Sequence, residues 1–221
     1  MANKPVTFAS DEAPTNPTAL LLIDVAEELF ALLGYNGTSV RDIISKADVN
    51  LGAVTYHFGT KENLLKAILL RGATKLNEER MRRFDAIERL GAKAGVEEII
   101  RAFIEPVYAL LGTIRGVRFL RIQNDISAER TDVPREVLAE HYDPCARQCI
   151  RLLAQAAPHI EAESLLWYFQ FILGALLYSI TQSKRFPELR AHGDNHEREI
   201  NELVRFVCNA FTPALASSPT T

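Results

Sequence analysis

The stretch that decides the fold is SVRDIISKADVNLGAVTYHFGTK, residues 39–61. It begins with a capping box, because Ser39 is followed three residues later by Asp42, and this pattern predicts the start of a helix. A turn of three residues follows at 48–50, and its last residue, Asn50, is placed to cap a second short helix, which ends at Gly59. Two short helices joined by such a turn form a helix-turn-helix.

Helical periodicity continues on both sides of this motif. Apolar residues at helical spacing predict a first helix over 22–33, closed by Gly34. Thr60 is placed to cap a long helix that starts at Lys61. Further helices are predicted over 96–111, 114–128, 135–157, 161–184 and 196–211, and Pro106 and Pro144 are expected to kink or interrupt two of them. No alternating strand pattern or internal repeat is visible.

These elements predict an all-α fold with two functional parts. Residues 1–17 are rich in Ala, Thr, Pro, Asn and Ser and are expected to be a disordered tail. Residues 18–65 form the helix-turn-helix domain, with three helices. Residues 66–213 form a larger helical body, expected to bind an effector and to dimerise, and 214–221 form a second tail.

Composition and charge place the chain among soluble globular proteins. Its 221 residues are 48% hydrophobic and 24% charged, with a net charge of −3. Residues 34–75 differ from the rest, because six basic and three acidic side chains give this segment a local charge of +3. A local basic excess on an acidic protein is typical of a small footprint on nucleic-acid phosphates.

The cysteines and the N-terminus predict a cytoplasmic protein. There are three cysteines, an odd number that favours reduced thiols, and no signal peptide is visible. The most apolar run, residues 165–180, is interrupted by Gln170 and is shorter than the roughly 18 residues of a membrane span. We therefore expect a buried helix there and no membrane association.

One face of the second short helix is free to enter a DNA major groove. Val54 and Phe58 are predicted to point into the core. The small residues Gly52 and Ala53 allow the backbone to approach DNA closely. The free face is predicted to carry Asn50, Leu51, Gly52, Ala53, Thr55, Tyr56 and His57.

Three segments resemble the TetR family of bacterial repressors: VAEELFALLGY (25–35), TSVRDI (38–43) and ADVNLGAVTYHFGTKENLL (47–65). The resemblance is continuous over about residues 20–69. It implies an N-terminal DNA-binding domain and a helical body that binds a small-molecule effector. It also implies a homodimer formed through the last two helices.

The resemblance further implies roles for individual residues. Base reading falls to Asn50, Leu51, Gly52, Ala53 and Thr55, and contact with the DNA backbone to Ser39, Arg41, Tyr56, His57, Thr60 and Lys61. Arg41 is placed to reach a phosphate or a base. Leu51 departs from the frequent polar residue at this position, so it either contacts a thymine methyl group or is structural. Tyr56 is also open to a partial packing role, and Thr60 to a purely capping one.

Residues of the body are candidates for an effector site. Aromatic side chains would line an apolar cavity and polar ones would meet a head group. The predicted ligand-binding residues are Tyr108, Arg118, Phe119, Gln123, Trp167 and Phe171. The body motifs AAP (156–158), LW (166–167), ILGA (172–175) and YSI (178–180) are also similar to fatty-acid-responsive members of the family, which implies a fatty acid or acyl-thioester effector.

The sequence thus favours a ligand-gated repressor that binds a palindromic double-stranded operator, although an activator would have the same pattern. No cofactor and no enzymatic activity are predicted. Two other classes of function are compatible with parts of the sequence. His141, Cys145 and Cys149 would share a helical face in a thiol enzyme or metal sensor, but Pro144 disturbs that helix and no fourth metal ligand is obvious in the sequence. A helical interaction protein without DNA binding is disfavoured by the intact Tyr56, His57 and Lys61.

Overall fold

The structure is a computed structural model that describes residues 16–91, 94–128, 135–181 and 195–212, with the side chains at 90 and 127–141 left out of the description. Within these ranges the regular structure is entirely helical, as predicted. The helices are α1 (Pro17–Leu33), α2 (Val40–Ala47), α3 (Ala53–His57), α4 (Lys61–Leu90), α5 (Val96–Leu110), α6 (Ile114–Ala128), α7 (Arg135–Ala156), α8 (Ala162–Thr181) and α9 (His196–Asn209).

The chain divides into two compact units. The first unit contains residues up to 75 together with 113–141, and the second contains residues 76–112 and those from 142 onward. In the first unit, α1, α2 and α3 pack on one another and α6 packs on α1. In the second unit, α9 packs against α5 and α8. The predicted boundaries at 18–65 and 66–213 are functional ones and stay predictions, but the contacts group α6 with the helix-turn-helix.

Helix α1 begins earlier than its apolar spacing predicts. The side chain of Asn16 accepts hydrogen bonds from the backbone N–H groups of Thr18 (2.9 Å) and Ala19 (3.3 Å), and Pro17 occupies the first helical position. Proline suits that position because its missing N–H would have no partner there. The helix ends as predicted at Gly34, whose φ of 78° favours glycine.

Two prolines do not interrupt their helices as expected. Pro106 lies inside α5 and Pro144 inside α7, and both helices continue through them. A proline removes one backbone hydrogen bond and crowds the preceding turn. The apolar face of α5 offsets this cost, since Ile99, Ile100 and Phe103 are all almost completely buried.

Candidate DNA-binding site

The start of α2 is fixed by a complete capping box. The Ser39 hydroxyl accepts a hydrogen bond from the backbone N–H of Asp42 (3.2 Å), and the Asp42 carboxylate accepts one from the backbone N–H of Ser39 (2.7 Å). The Ser39 hydroxyl also donates a hydrogen bond to the Asp42 carboxylate (2.6 Å). This bond, together with the one from the backbone N–H of Ser39, lowers the pKa of Asp42, so its carboxylate remains charged beside the positive end of the helix. The predicted cap is confirmed, and it holds Ser39 and Arg41 at the surface.

The turn between α2 and α3 uses two local devices. Asp48 adopts a left-handed conformation with a φ of 53°, which ends α2. The Asn50 side chain then accepts a hydrogen bond from the backbone N–H of Gly52 (2.9 Å), and the Asn50 carbonyl accepts one from Ala53 (3.0 Å). Regular helix therefore starts at Ala53, three residues after the predicted cap.

The outer face of α3 is exposed above two buried anchors. Val54 and Phe58 are each 1% exposed, whereas Leu51 is 72% and Tyr56 80% exposed. Asn50, Gly52 and Thr55 are exposed as well. The predicted free face is therefore exposed, with one correction, and its contact with DNA bases stays a prediction.

That correction concerns Ala53, which was expected on the free face. Its side chain is buried at 9% exposure, because α3 packs on both α1 and α2. A direct DNA contact by Ala53 stays a prediction of the sequence.

The residues predicted to contact the DNA backbone lie at the end of α3 and the start of α4. The rings of Tyr56 and His57 meet edge to face with centroids 4.9 Å apart. The Thr60 hydroxyl accepts a hydrogen bond from the backbone N–H of Asn63 (3.1 Å), so Thr60 caps α4 as expected. Lys61 donates to the backbone carbonyl of Tyr35 (2.5 Å) and lies 4.0 Å from the centroid of the Tyr35 ring. Lys61 is thus held at the start of α4 before any DNA is bound.

Much of the local basic excess is neutralised within the first unit. Lys46 pairs with Glu28, and Lys66 pairs with Glu62 at 3.2 Å. Arg41 differs from these lysines, because it is exposed and takes part in none of the ion pairs among the described residues. Fewer basic side chains are therefore available to bind DNA phosphates than the six counted in residues 34–75.

Charged contacts also join α6 to α1, and they were not predicted from the sequence. Arg115 pairs with Asp24 (3.0 Å), Arg118 pairs with Glu28 (3.3 Å), and Arg121 donates to the backbone carbonyl of Ala31 (3.3 Å). We call these three residues the arginine ladder. Their spacing of i, i+3 and i+6 on one helix is the available sequence signal, but their partners lie about 90 residues away along the chain.

Two further contacts hold α4 to α1 and α6 in the same unit. Arg71 pairs with Asp24 (2.6 Å) and with the buried Glu27. Gly72 lies against the ring of Phe119, so closely that a side chain at position 72 would overlap it. Helix α1 is therefore fixed by α4 and α6 together.

The predicted ligand-binding residues are spread over both units. Arg118, Phe119 and Gln123 belong to the first unit, where Arg118 is engaged by Glu28 and Phe119 is buried. Tyr108, Trp167 and Phe171 belong to the second unit. There the Tyr108 hydroxyl shares a hydrogen bond with Ser179 (2.8 Å), and the exposed rings of Trp167 and Phe171 stack with centroids 6.3 Å apart. Their roles in ligand binding stay predictions.

One cleft of the second unit lies elsewhere. It has a volume of about 360 Å³, and its lining includes Ile99, Arg151 and Leu152. None of the six predicted ligand-binding residues lines it.

The thiols do not form a reactive or metal-binding site within the described residues. Cys145 and Cys149 are buried, and burial raises the pKa of both thiols, so they remain protonated. No cluster of three metal-ligating side chains occurs in the part of the chain that is described. The side chain of His141, the expected partner of the thiols, lies outside that part.

Two family models match the chain. The model "Bacterial regulatory proteins, tetR family" matches residues 22–68, and "Tetracyclin repressor-like, C-terminal domain" matches residues 101–210. The chain belongs to the TetR family of transcriptional regulators. Members of this family regulate transcription by binding DNA, and the helix-turn-helix described above is the matched N-terminal part.

Curated relatives match part of this TetR-family chain. An HTH-type transcriptional repressor of Mycobacterium tuberculosis is 45% identical over 58 residues, which is 26% of this chain and 31% of the relative. The repressor AcnR of Corynebacterium glutamicum is 30% identical over 100 residues, covering 45% of this chain and 47% of AcnR. The chain thus spans less than half the length of these relatives.

Solved structures extend the likeness to nearly the whole fold. The TetR family regulator PfmR of Thermus thermophilus has a TM-score of 0.61 and 19% identity, covering 85% of this chain and 97% of PfmR. Salmonella enterica GusR has a TM-score of 0.63 and 19% identity, covering 91% and 99%. At this identity the likeness describes the fold alone.

Proposed function

We propose that this chain is a ligand-responsive repressor that binds a palindromic operator as a homodimer and is released by a small, largely apolar effector. The observation that carries the proposal is the exposed outer face of α3, with Leu51 and Tyr56 more than two-thirds exposed above the buried Val54 and Phe58. An exposed face of this kind is what a recognition helix presents to the major groove.

An apolar surface on the last two helices supports the homodimer. Leu166 and Phe171 of α8 are 53% and 65% exposed, and Phe206 of α9 is 70% exposed. Contiguous apolar surface on a soluble protein marks an interaction site. Helix α8 is also the one helix among the described residues long and apolar enough to cross a membrane, with 22% of its apolar window buried. We propose that a second copy of the chain covers this surface in the cytoplasm.

The arginine ladder supports a route for the ligand response within the first unit. Arg115, Arg118 and Arg121 attach α6 to α1, and α1 packs on both α2 and α3. An effector that favours a different position of α6 would therefore move the recognition helix with α1. Such a ligand acts by population shift, since it binds one arrangement more tightly than the other.

The effector class rests on the resemblance of the body to fatty-acid-responsive regulators. We propose a fatty acid or an acyl thioester. Denaturing the purified protein and identifying any co-purified small molecule by mass spectrometry tests this part separately from DNA binding.

The DNA-binding part is tested by fluorescence anisotropy with the palindrome nearest the gene's own start and a scrambled duplex of equal composition. Arg41 and Lys61 from two chains would neutralise four phosphates. This predicts a slope of about −3.6 for log K against log salt concentration. Equal binding to both duplexes would refute the proposal.

Matched variants separate contacts with the DNA backbone from recognition of the base sequence. Tyr56→Ala with Lys61→Ala removes backbone contacts and should weaken binding to both duplexes alike. Thr55→Ala should instead change which sequence is preferred, because its side chain lies on the exposed outer face. A uniform loss from Thr55→Ala would contradict its base-reading role.

The homodimer is tested by sedimentation of the wild type and of Phe171→Glu. We expect a dimer for the wild type and a monomer that retains its helical content for the variant, since a charge at this position disfavours apolar contact. A monomeric wild type, or one that sediments only with lipid vesicles, would overturn the dimer.

A further inference from the structure

A buried cation lies in the core of the second unit. Arg80 of α4 is 4% exposed. Its Nε donates a hydrogen bond to the backbone carbonyl of Phe103 (2.9 Å), and its guanidinium carbon lies 3.8 Å from the centroid of the Phe103 ring. Arginine remains charged in proteins, so this is a full positive charge removed from water.

No carboxylate neutralises this charge among the described residues. The nearby acidic side chains have other partners: Glu79 and Glu105 bond to Arg83, and Asp85 accepts from Gln148. Burying a charge without a partner is strongly unfavourable, and natural proteins almost always pair such groups.

Among the described side chains of α7, those that face Arg80 are neutral. Tyr142, Cys145 and Cys149 are spaced i, i+3 and i+7, so they share one helical face. Burial raises the pKa of all three side chains, which keeps the phenol and both thiols protonated. The positive charge of Arg80 lowers each of these pKa values by a smaller amount. The pair of thiols makes the surroundings of Arg80 largely apolar.

A second unmet group lies on this face. The hydroxyl oxygen of Tyr142 is buried and has no hydrogen-bond partner among the described residues. Buried hydroxyl groups are nearly always hydrogen-bonded, so an orphan of this kind calls for an explanation. A single oxyanion would satisfy both groups, because it would neutralise the charge of Arg80 and accept a hydrogen bond from the hydroxyl of Tyr142.

We propose that Arg80 and Tyr142 bind the carboxylate group of the effector, with the apolar body of the ligand against Phe103 and the α7 thiols. The planar fork of a guanidinium matches the geometry of a carboxylate. This assignment rests on the proposed ligand response, and it names the chemical class of the ligand and the two residues that bind its charge.

The test uses the full-length chain and four probes: decanoate, benzoate, and their neutral counterparts decan-1-ol and benzamide. Binding is measured by calorimetry and by the shift in melting temperature. We expect a carboxylate to bind the wild type with a higher affinity than its neutral counterpart. The variants Arg80→Met and Tyr142→Phe should weaken carboxylate binding about 10- to 100-fold and about 3- to 10-fold, respectively.

Arg82→Met is the matched control, because Arg82 lies on the same helix with its side chain 67% exposed. It should bind decanoate like the wild type. If Arg80→Met does not fold, Tyr142→Phe decides alone, since a purely structural hydroxyl would leave carboxylate affinity unchanged. The proposal is overturned if neither carboxylate outbinds its neutral counterpart, or if the variants that fold bind like the wild type.

Operator binding of the same unliganded proteins separates the two failures. If the wild type binds its operator but does not prefer carboxylates over their neutral counterparts, only this inference is refuted. A wild type that does not bind its operator refutes the proposed function itself.

Discussion

Replacing Gly72 by alanine is a direct test of how closely α4 and α6 pack. A Cβ atom at this position would lie 2.1 Å from Cδ2 and 2.4 Å from Cε2 of the Phe119 ring. Favourable contact between carbon atoms needs about 3.5–4.0 Å. The ring or the backbone must therefore move by about 1.5 Å, and Phe119 has little room to move because it is 2% exposed.

Two opposing effects set the magnitude for Gly72→Ala. Overpacking a buried contact costs about 1–3 kcal/mol. Alanine in a helix interior is favoured over glycine by about 0.5–1 kcal/mol. Since the overlap at Phe119 is severe, we expect the steric cost to dominate and the free energy of unfolding to fall by about 1–2 kcal/mol.

The assay is urea unfolding at one fixed protein concentration, because the stability of the proposed dimer would depend on concentration. The variants form a double-mutant cycle of Gly72→Ala, Phe119→Leu and the pair of substitutions. The smaller leucine makes room for the new methyl group, so we expect a favourable coupling of about 1–3 kcal/mol. A Gly72→Ala protein more stable than the wild type, or a coupling near zero, would refute the close packing of α4 on α6.

Three other perturbations address charges and thiols. Arg71→Met leaves the carboxylate of Glu27 buried without its partner and should lower the free energy of unfolding by about 3–5 kcal/mol. Adding Glu27→Gln should recover most of this loss. A loss below about 1 kcal/mol in urea unfolding would contradict the prediction. Two neighbouring arginines lower the pKa of Glu79 to about 2, so its contribution to stability is complete above its ordinary value near 4.5 and disappears as the pH falls through 2. The stability difference between wild type and Glu79→Gln should therefore shrink over that range, and a constant difference would count against the ion pairs. In the native protein, Cys145 and Cys149 should not react with an aromatic disulfide reagent at pH 8, and both should react once urea is added; rapid native reaction of all three thiols would exclude their burial.

Local signals in the sequence predicted the helix-turn-helix well. The capping box of Ser39 and Asp42 involves residues three apart, so it is visible without any knowledge of the fold. Helix α6 was predicted over its observed range for the same reason, since its apolar spacing is regular. The start of α1 was placed late, because the signal there is the cap at Asn16 and Pro17 rather than apolar spacing.

Features that depend on tertiary contacts were missed or misplaced. The ligand-binding role of Arg118 stays a prediction, but its ion pair with Glu28 was not foreseen, because Glu28 lies on another helix 90 residues earlier. Arg80 lies in the charged stretch NEERMRRFD (77–85), which resembles a solvated helix face, so nothing in the pattern indicated burial. Ala53 was expected on the outer face of α3, and its burial depends on how α3 packs against its neighbours.

The exposure of Leu51 has a consequence for how such a regulator evolves. At 72% exposure its side chain contributes little to the core, and Thr55 is exposed beside it. Surface substitutions of this kind usually change stability by less than about 0.5 kcal/mol, whereas most core substitutions bring a protein closer to its stability threshold. If Leu51 and Thr55 read bases as proposed, one copy of a duplicated gene can acquire a new operator through a few substitutions at these positions while its scaffold is inherited unchanged.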